Sequence, residues 1–264
     1  MPYVNNDAVR IYFEHEGDGV PIVLHTGAGG DHRMWRLAGY VAGLKGMQRI
    51  LMDHRGHGRS GKPREISDHR IDGYVDDVIR VIDSLGLERV VFFGYSDGSA
   101  VGYVLAARHP DRVDALVALG AVRGADETLR EREDVAATVA VAGMPSLVEG
   151  LQEAESDPIP SWFEEQMIET DPEMFALELD GWADWAGPWK EFSRIEAPTL
   201  IVVGEREEDP YRSAADDAEL AAATIPNGSC VILPGLGHVA AFVRSELVLP
   251  HVRAFLNQAL GTIL

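Results

Sequence analysis

A serine stands between two glycines in Gly94-Tyr95-Ser96-Asp97-Gly98, directly after the apolar run VVFF at 90–93. A serine hydroxyl becomes a nucleophile only when a base takes its proton. Where a strand turns sharply into a helix, the apex residue is lifted past the strand end, and its neighbours must be small for the turn to close. The small-residue stretch after Asp97 reads as that helix, whose free N–H groups would face an oxyanion formed beside Ser96. The N–H of Asp97 is thus one expected oxyanion donor. The second is expected from the glycine-rich turn LHTGAGG (24–30), at Gly27.

The base must be a histidine on a loop after a later strand. Of the nine histidines, His238 directly follows CVILPGLG, and Gly235 and Gly237 give that loop freedom to bring the ring back over the sheet. A carboxylate must then orient the imidazole. The loop after TLIVV holds Glu205, Glu207, Glu208 and Asp209. Asp209 is the first choice, because Pro210 biases it to an extended turn conformation. Glu207 is the main alternative and Asp126 a more distant one. His54 and His57 in DHRGHGRS lack the spacing of a helical metal pair, and no carboxylate or cysteine cluster accompanies them in sequence, so no metal site is expected. The glycine turn lacks a Gly-Lys-Ser/Thr signature and a dinucleotide fingerprint, so no cofactor is expected either.

These groups need a frame that sets strand ends side by side. Short apolar runs at 11–17, 21–26, 47–53, 89–94, 113–122, 199–205 and 230–235 read as strands, and helical spacing marks 69–86, 97–108 and 245–260. Alternation of the two implies an α/β fold, a mostly parallel sheet covered by helices on both faces. The pattern breaks between 123 and 195, where helical patches, prolines and an aromatic cluster replace buried strands. Residues 1–122 and 196–264 are therefore expected to form the core, and 123–195 a helical cap. Trp162, Trp182 and Trp185 of the cap, with Trp35 and Tyr95 of the core, are the expected substrate pocket.

Composition narrows the class of partner. A formal net charge of −20 disfavours nucleic acid and anionic lipid. The single cysteine, Cys230, excludes an internal disulfide and suits a reducing cytoplasm. No apolar stretch has the length of a membrane span, and MPYVNNDAVR has no basic region followed by an apolar run, so neither an anchor nor a secretory signal is expected.

On these residues the sequence resembles the α/β-hydrolase fold superfamily along nearly its whole length. LHTGAGG resembles the family's oxyanion loop, DHRGHGRS the loop after the following strand, GYSDGS the nucleophile elbow and PGLGH the histidine loop. Thr26 stands where the family often has glycine, and GEREED is longer than the usual Gly-x-x-Asp. Serine at the elbow sets the chain apart from haloalkane dehalogenases and epoxide hydrolases, which carry aspartate there. The resemblance implies a carboxylesterase or lactonase acting on a small-molecule ester through an acyl-enzyme. It also admits cleavage of carbon–carbon bonds, or a hydrolase-like sensor that binds a small ligand. Asp97 suits the positive end of a helix dipole. In valacyclovir-hydrolase-like members, however, a Ser-Asp elbow binds a substrate's α-amino group, which adds amino-acid esters.

Overall fold

The computed structural model describes residues 3–120, 128–155, 157–183, 185–209 and 212–261; of these, the side chains of 128–132, 208–209 and 212–213 lie outside the described set. The strands are β1 (Tyr3–Asn6), β2 (Val9–Glu16), β3 (Pro21–His25), β4 (Gln48–Met52), β5 (Val90–Tyr95), β6 (Val113–Leu119), β7 (Thr199–Gly204), the short β8 (Glu208–Asp209) and β9 (Arg212–Ser213), and β10 (Gly228–Leu233). The helices are α1 (Arg33–Leu37), α2 (Tyr40–Gly43), α3 (Ile71–Ser84), α4 (Asp97–Arg108), α5 (Thr128–Ala142), α6 (Met144–Ala154), α7 (Ser161–Glu169), α8 (Pro172–Gly181), α9 (Ala214–Thr224), α10 (His238–Val243) and α11 (Ser245–Leu260).

Among the described residues the main sheet has eight strands in the order β1-β2-β4-β3-β5-β6-β7-β10. The β1–β2 and β2–β4 pairs are antiparallel, and every later pair is parallel. Chain order reverses between β3 and β5, so the loops after those two strands diverge and leave a crevice at their carboxyl ends. The expected α/β sheet is present. The antiparallel β1 and the helix α9 carry no strong periodic signal and were not legible.

Alternation along each strand builds two cores. Leu24, Phe93 and Val202 face one layer, with Trp35, Tyr40 and Phe242. Their neighbours Val23, Phe92 and Val203 face the other, with Tyr74, Val78 and Val101. A strand buried on both faces must read as a continuous apolar run, which is why β5 and β7 stand out in the sequence. Among the described residues, helices α5 to α8 come between β6 and β7, and residues from each of them line a cavity with Tyr95 and Ser96 at the end of β5.

One buried ion pair holds the loop after β4. Arg55 donates from Nε and Nη2 to the two oxygens of Asp77 on α3, each at 2.7 Å, and Asn6 Nδ2 adds a third bond at 2.8 Å. Arg55 also donates to the carbonyls of Asp68 and Gly73. Removing one partner strands a buried charge, which typically costs about 3–5 kcal/mol. Asp77→Ala is therefore expected to lower unfolding stability by roughly that amount in urea titration. A loss under about 1 kcal/mol would show that Arg55 finds another partner.

Candidate active site

β5 ends at Tyr95 and α4 begins at Asp97, so Ser96 alone makes the turn. Its backbone lies at φ 55° and ψ −124°, a conformation that side-chain-bearing residues rarely adopt. The strain is held from several sides. Ser96 N–H donates to Leu119 O at 2.8 Å, and Ser99 Oγ donates towards the carbonyls of Gly94 and Leu119 at 3.0 and 3.1 Å. A side chain on Gly98 would overlap the His25 carbonyl, so glycine is needed for α4 to reach β3. Gly27 lies equally close: a Cβ there would sit 2.5 Å from Ser96 Cβ and 3.1 Å from Asp97 N. The backbones of Gly27 and Asp97 thus flank Ser96.

His238 opens α10, after β10, and its Nε2 lies 3.0 Å from Ser96 Oγ. Its Nδ1 lies 3.0 Å from Glu207 Oε2. Glu207 is almost fully buried, and its other oxygen accepts from Gly204 N–H at 2.8 Å, which fixes the carboxylate at the end of β7. With Nδ1–H donating to Glu207, Nε2 is left as an acceptor for the serine proton. The side chain of Asp209, the first choice from sequence, lies outside the described residues, as does Asp126; the carboxylate in contact with His238 is the alternative, Glu207. Its loop is pinned beside β10, with Glu205 N–H donating to Leu233 O and Arg206 N–H to Leu236 O, and turns where Glu207 N–H donates to Gly204 O at 3.3 Å. The Tyr95 ring stacks on His238 at 5.0 Å and on Phe242 at 4.1 Å. Glu155, at the end of α6, accepts from Val239 N–H at 2.6 Å and so holds the first turn of α10.

Ser96 and His238 open onto a cavity of about 450 Å³ between the sheet and the cap. Its walls are largely apolar: Met34, Leu147, Phe163, Met167, Phe175 and Leu179. Among the described residues that line it, the carboxylates are Asp97 and Asp134. Of the aromatic residues expected here, Tyr95 lines the cavity and the tryptophans do not. Trp35 is fully buried in the core behind it, edge-on to Tyr40, Phe93 and Phe242. Trp182 packs on Tyr74 and Trp185 in the opposite core layer. Phe163 faces the cavity, which turns its helical neighbour Trp162 aside.

Beside the glycine turn lies a buried histidine cluster. His25 stacks on His54 at 5.3 Å, and the centroids of His54 and His57 are 4.0 Å apart. Burial pushes His25, His54 and His57 down to about 3, about 4 and about 3, so all three are neutral near pH 7. No carboxylate cluster accompanies His54 and His57 in the sequence; the fold brings a carboxylate from α8. Glu178 Oε2 lies 3.2 Å from His54 Nε2 and 3.4 Å from His57 Nδ1. A second group, Asp31, His32 and Asp53, centres on a 2.7 Å contact between His32 Nδ1 and Asp53 Oδ1. Each set offers three ligand atoms within 4.8 Å of one another. Among the described residues no helix is long and apolar enough to cross a membrane.

This doubly covered sheet, with a serine elbow facing a histidine loop, defines an α/β hydrolase, and the chain belongs to the alpha/beta hydrolase fold family, whose model matches residues 20–140. Over 207 residues, 78% of this chain and 74% of the other, it is 32% identical to the protein named "Putative carbamate hydrolase RutD" of Azorhizobium caulinodans. It is 25% identical to a non-heme haloperoxidase of Rhodococcus erythropolis, with 97% of this chain and 100% of the other covered. The crystal structure of the enol-lactonase from Burkholderia xenovorans superposes with a TM-score of 0.82 at 25% identity, covering 97% of this chain and 100% of the other.

The geometry separates the two candidate acids experimentally. Labelling of Ser96 by a fluorophosphonate is expected to slow by several orders of magnitude in Glu207→Gln, as when the orienting acid of a serine triad is neutralised. Asp209→Asn should label within about twofold of wild type; the reverse ranking would assign the acid to Asp209.

Proposed function

We propose that the protein is a serine hydrolase of carboxylic esters or lactones of modest size. The observation that carries this reading is the hydrogen-bonded chain from Ser96 Oγ through His238 to Glu207, at the mouth of an apolar cavity. Ser96 Oγ attacks the carbonyl carbon while His238 Nε2 takes its proton. Glu207 holds the ring and stabilises the imidazolium as it forms. The N–H groups of Gly27 and Asp97 receive the oxyanion, and their fixed dipoles need no reorganisation as charge develops. His238 then passes the proton to the leaving alcohol, and the acyl-enzyme is cleared by water that the same imidazole activates. The apolar walls favour uncharged acyl chains, and the cavity volume lies within the usual span of small-molecule sites.

A second reading rests on Asp97, which lines the cavity next to Ser96. It takes an ester with a free α-amino group, whose positive charge the carboxylate would favour. Under that reading Asp97→Asn lowers kcat/KM for the free amino ester and leaves the N-acetylated ester unchanged.

The test is a panel of chromogenic esters and lactones graded by acyl length, with a carbamate of the same alcohol included because of the relative's name. Wild type should show a clear optimum among the esters or lactones. Ser96→Ala should lose roughly 10⁴-fold or more of that turnover while melting at the wild-type temperature. Full turnover by Ser96→Ala would sink the mechanism, and a preference for the carbamate would move the substrate class. A protein that the ester stabilises but that does not turn it over would be the ligand sensor considered from sequence.

A further inference from the structure

The Gly29 peptide, two residues beyond the proposed oxyanion donor, is held at both ends by groups that lead to the cap. Its N–H donates to His57 Nε2 at 3.0 Å. Its carbonyl accepts from Thr170 Oγ1, just past the end of α7, at 2.8 Å. Met167 of α7 covers its α-carbon so closely that a Cβ would sit 2.5 Å from Met167 Cε. Gly29 has φ 80° inside a tight turn closed by Gly30 N–H on Gly27 O at 3.1 Å, so a shift of Gly29 is transmitted to Gly27.

The far side of His57 leads to the cap as well. Because Nε2 accepts a hydrogen bond, the proton of the neutral ring sits on Nδ1. There it donates to the Arg55 carbonyl at 3.4 Å, and Glu178 Oε2 lies 3.4 Å from the same nitrogen without a hydrogen bond. Glu178 is 1% exposed and also meets His54 Nε2, whose ring backs the cluster. The Arg55 carbonyl fixes the tautomer, and the carboxyl group beside the same nitrogen makes Nε2 the stronger acceptor.

We propose that Glu178, acting through His57, and Thr170 are positioning residues by which the cap sets the oxyanion loop, so that the Gly27 N–H is aimed at Ser96 only while α7 and α8 are seated. This rests on the hydrolase reading above. The rival use of the same atoms is a metal site, since 3.2 and 3.4 Å resemble the edges of a tetrahedron around zinc. The hydrogen bonding argues against it. A neutral imidazole has one lone-pair nitrogen, and in His57 that nitrogen already receives the Gly29 N–H.

Glu178→Gln and Thr170→Val test the proposal; the second keeps the shape of a half-buried side chain and guards against a folding failure of the first. Three quantities are measured on each: kcat and KM for the best ester of the panel, inhibition by an alkyl boronic acid, and inhibition by the product alcohol. Boron accepts the Ser96 oxygen and becomes a tetrahedral anion that needs the oxyanion hole, whereas the alcohol does not. The expected result is a roughly tenfold fall in kcat and in boronate affinity, smaller than the 10²–10³ of deleting a donor outright. KM and alcohol affinity should stay within about twofold, the mark of an interaction made in the transition state. Unchanged kcat and boronate affinity in both variants would overturn the proposal, as would an equal fall for boronate and alcohol. Stoichiometric zinc binding that raises the melting temperature of wild type but not of Glu178→Gln would also overturn it. A wild type that neither turns over esters nor binds boronate sinks the hydrolase reading together with this one; a competent wild type with unaffected variants sinks this one alone.

Discussion

The backbone of Ser96 sits where a residue with a side chain is strained, at a cost of about 1–3 kcal/mol, and the molecule around it is arranged to hold it there. Three strands take part. β5 delivers the residue, β6 accepts its N–H through Leu119, and β3 presents the His25 carbonyl on which Gly98 rests. The parallel register of β3, β5 and β6 makes these contacts simultaneous. The glycines of the elbow are therefore less about flexibility than about contact distance. With the turn locked, the hydroxyl has one place to go, out beyond the strand ends.

The groups that face it come from distant parts of the chain, and each is tied to a rigid element. Glu207 is bonded to the last residue of β7, and His238, the first residue of α10, stacks on the Tyr95 ring. Glu155 holds the first turn of α10 from the end of α6. The cap is thus more than a roof. It reaches down with Glu155 to the histidine loop, with Thr170 to the glycine turn and with Glu178 to the histidines behind that turn.

What the sequence made legible follows from how local each signal is. β5 and β7 are short apolar runs buried on both faces, and β10 is a half-buried apolar edge strand; the elbow and His238 lie close after such runs, so their positions could be read from neighbouring residues. The pairing of Glu207 with His238 depends on how one crowded loop turns, and four acids within five positions offer no local means of choosing. The tryptophans misled because a large aromatic is as useful in a core as in a cavity; Trp35 and Trp182 fill the two core layers, while methionine, leucine and phenylalanine line the pocket. Glu178 carried no signal at all. It reads as one more charge on an acidic helix until the fold sets it against His54 and His57, more than a hundred residues away in the chain.

That buried cluster also ties the fold to acidity. His25, His54 and His57 stay proton-free down to about 3, about 4 and about 3 inside the protein, whereas an unfolded imidazole takes its proton near pH 6.5. Above that value neither state binds a proton on these rings, and their contribution is fully present. As the pH drops below it, the unfolded chain alone is protonated, and each ring withdraws about 1.4 kcal/mol of stability per pH unit until the folded values are reached. Three rings packed behind one glycine turn therefore make the fold sensitive to acid, through the same burial that keeps them neutral for hydrogen bonding.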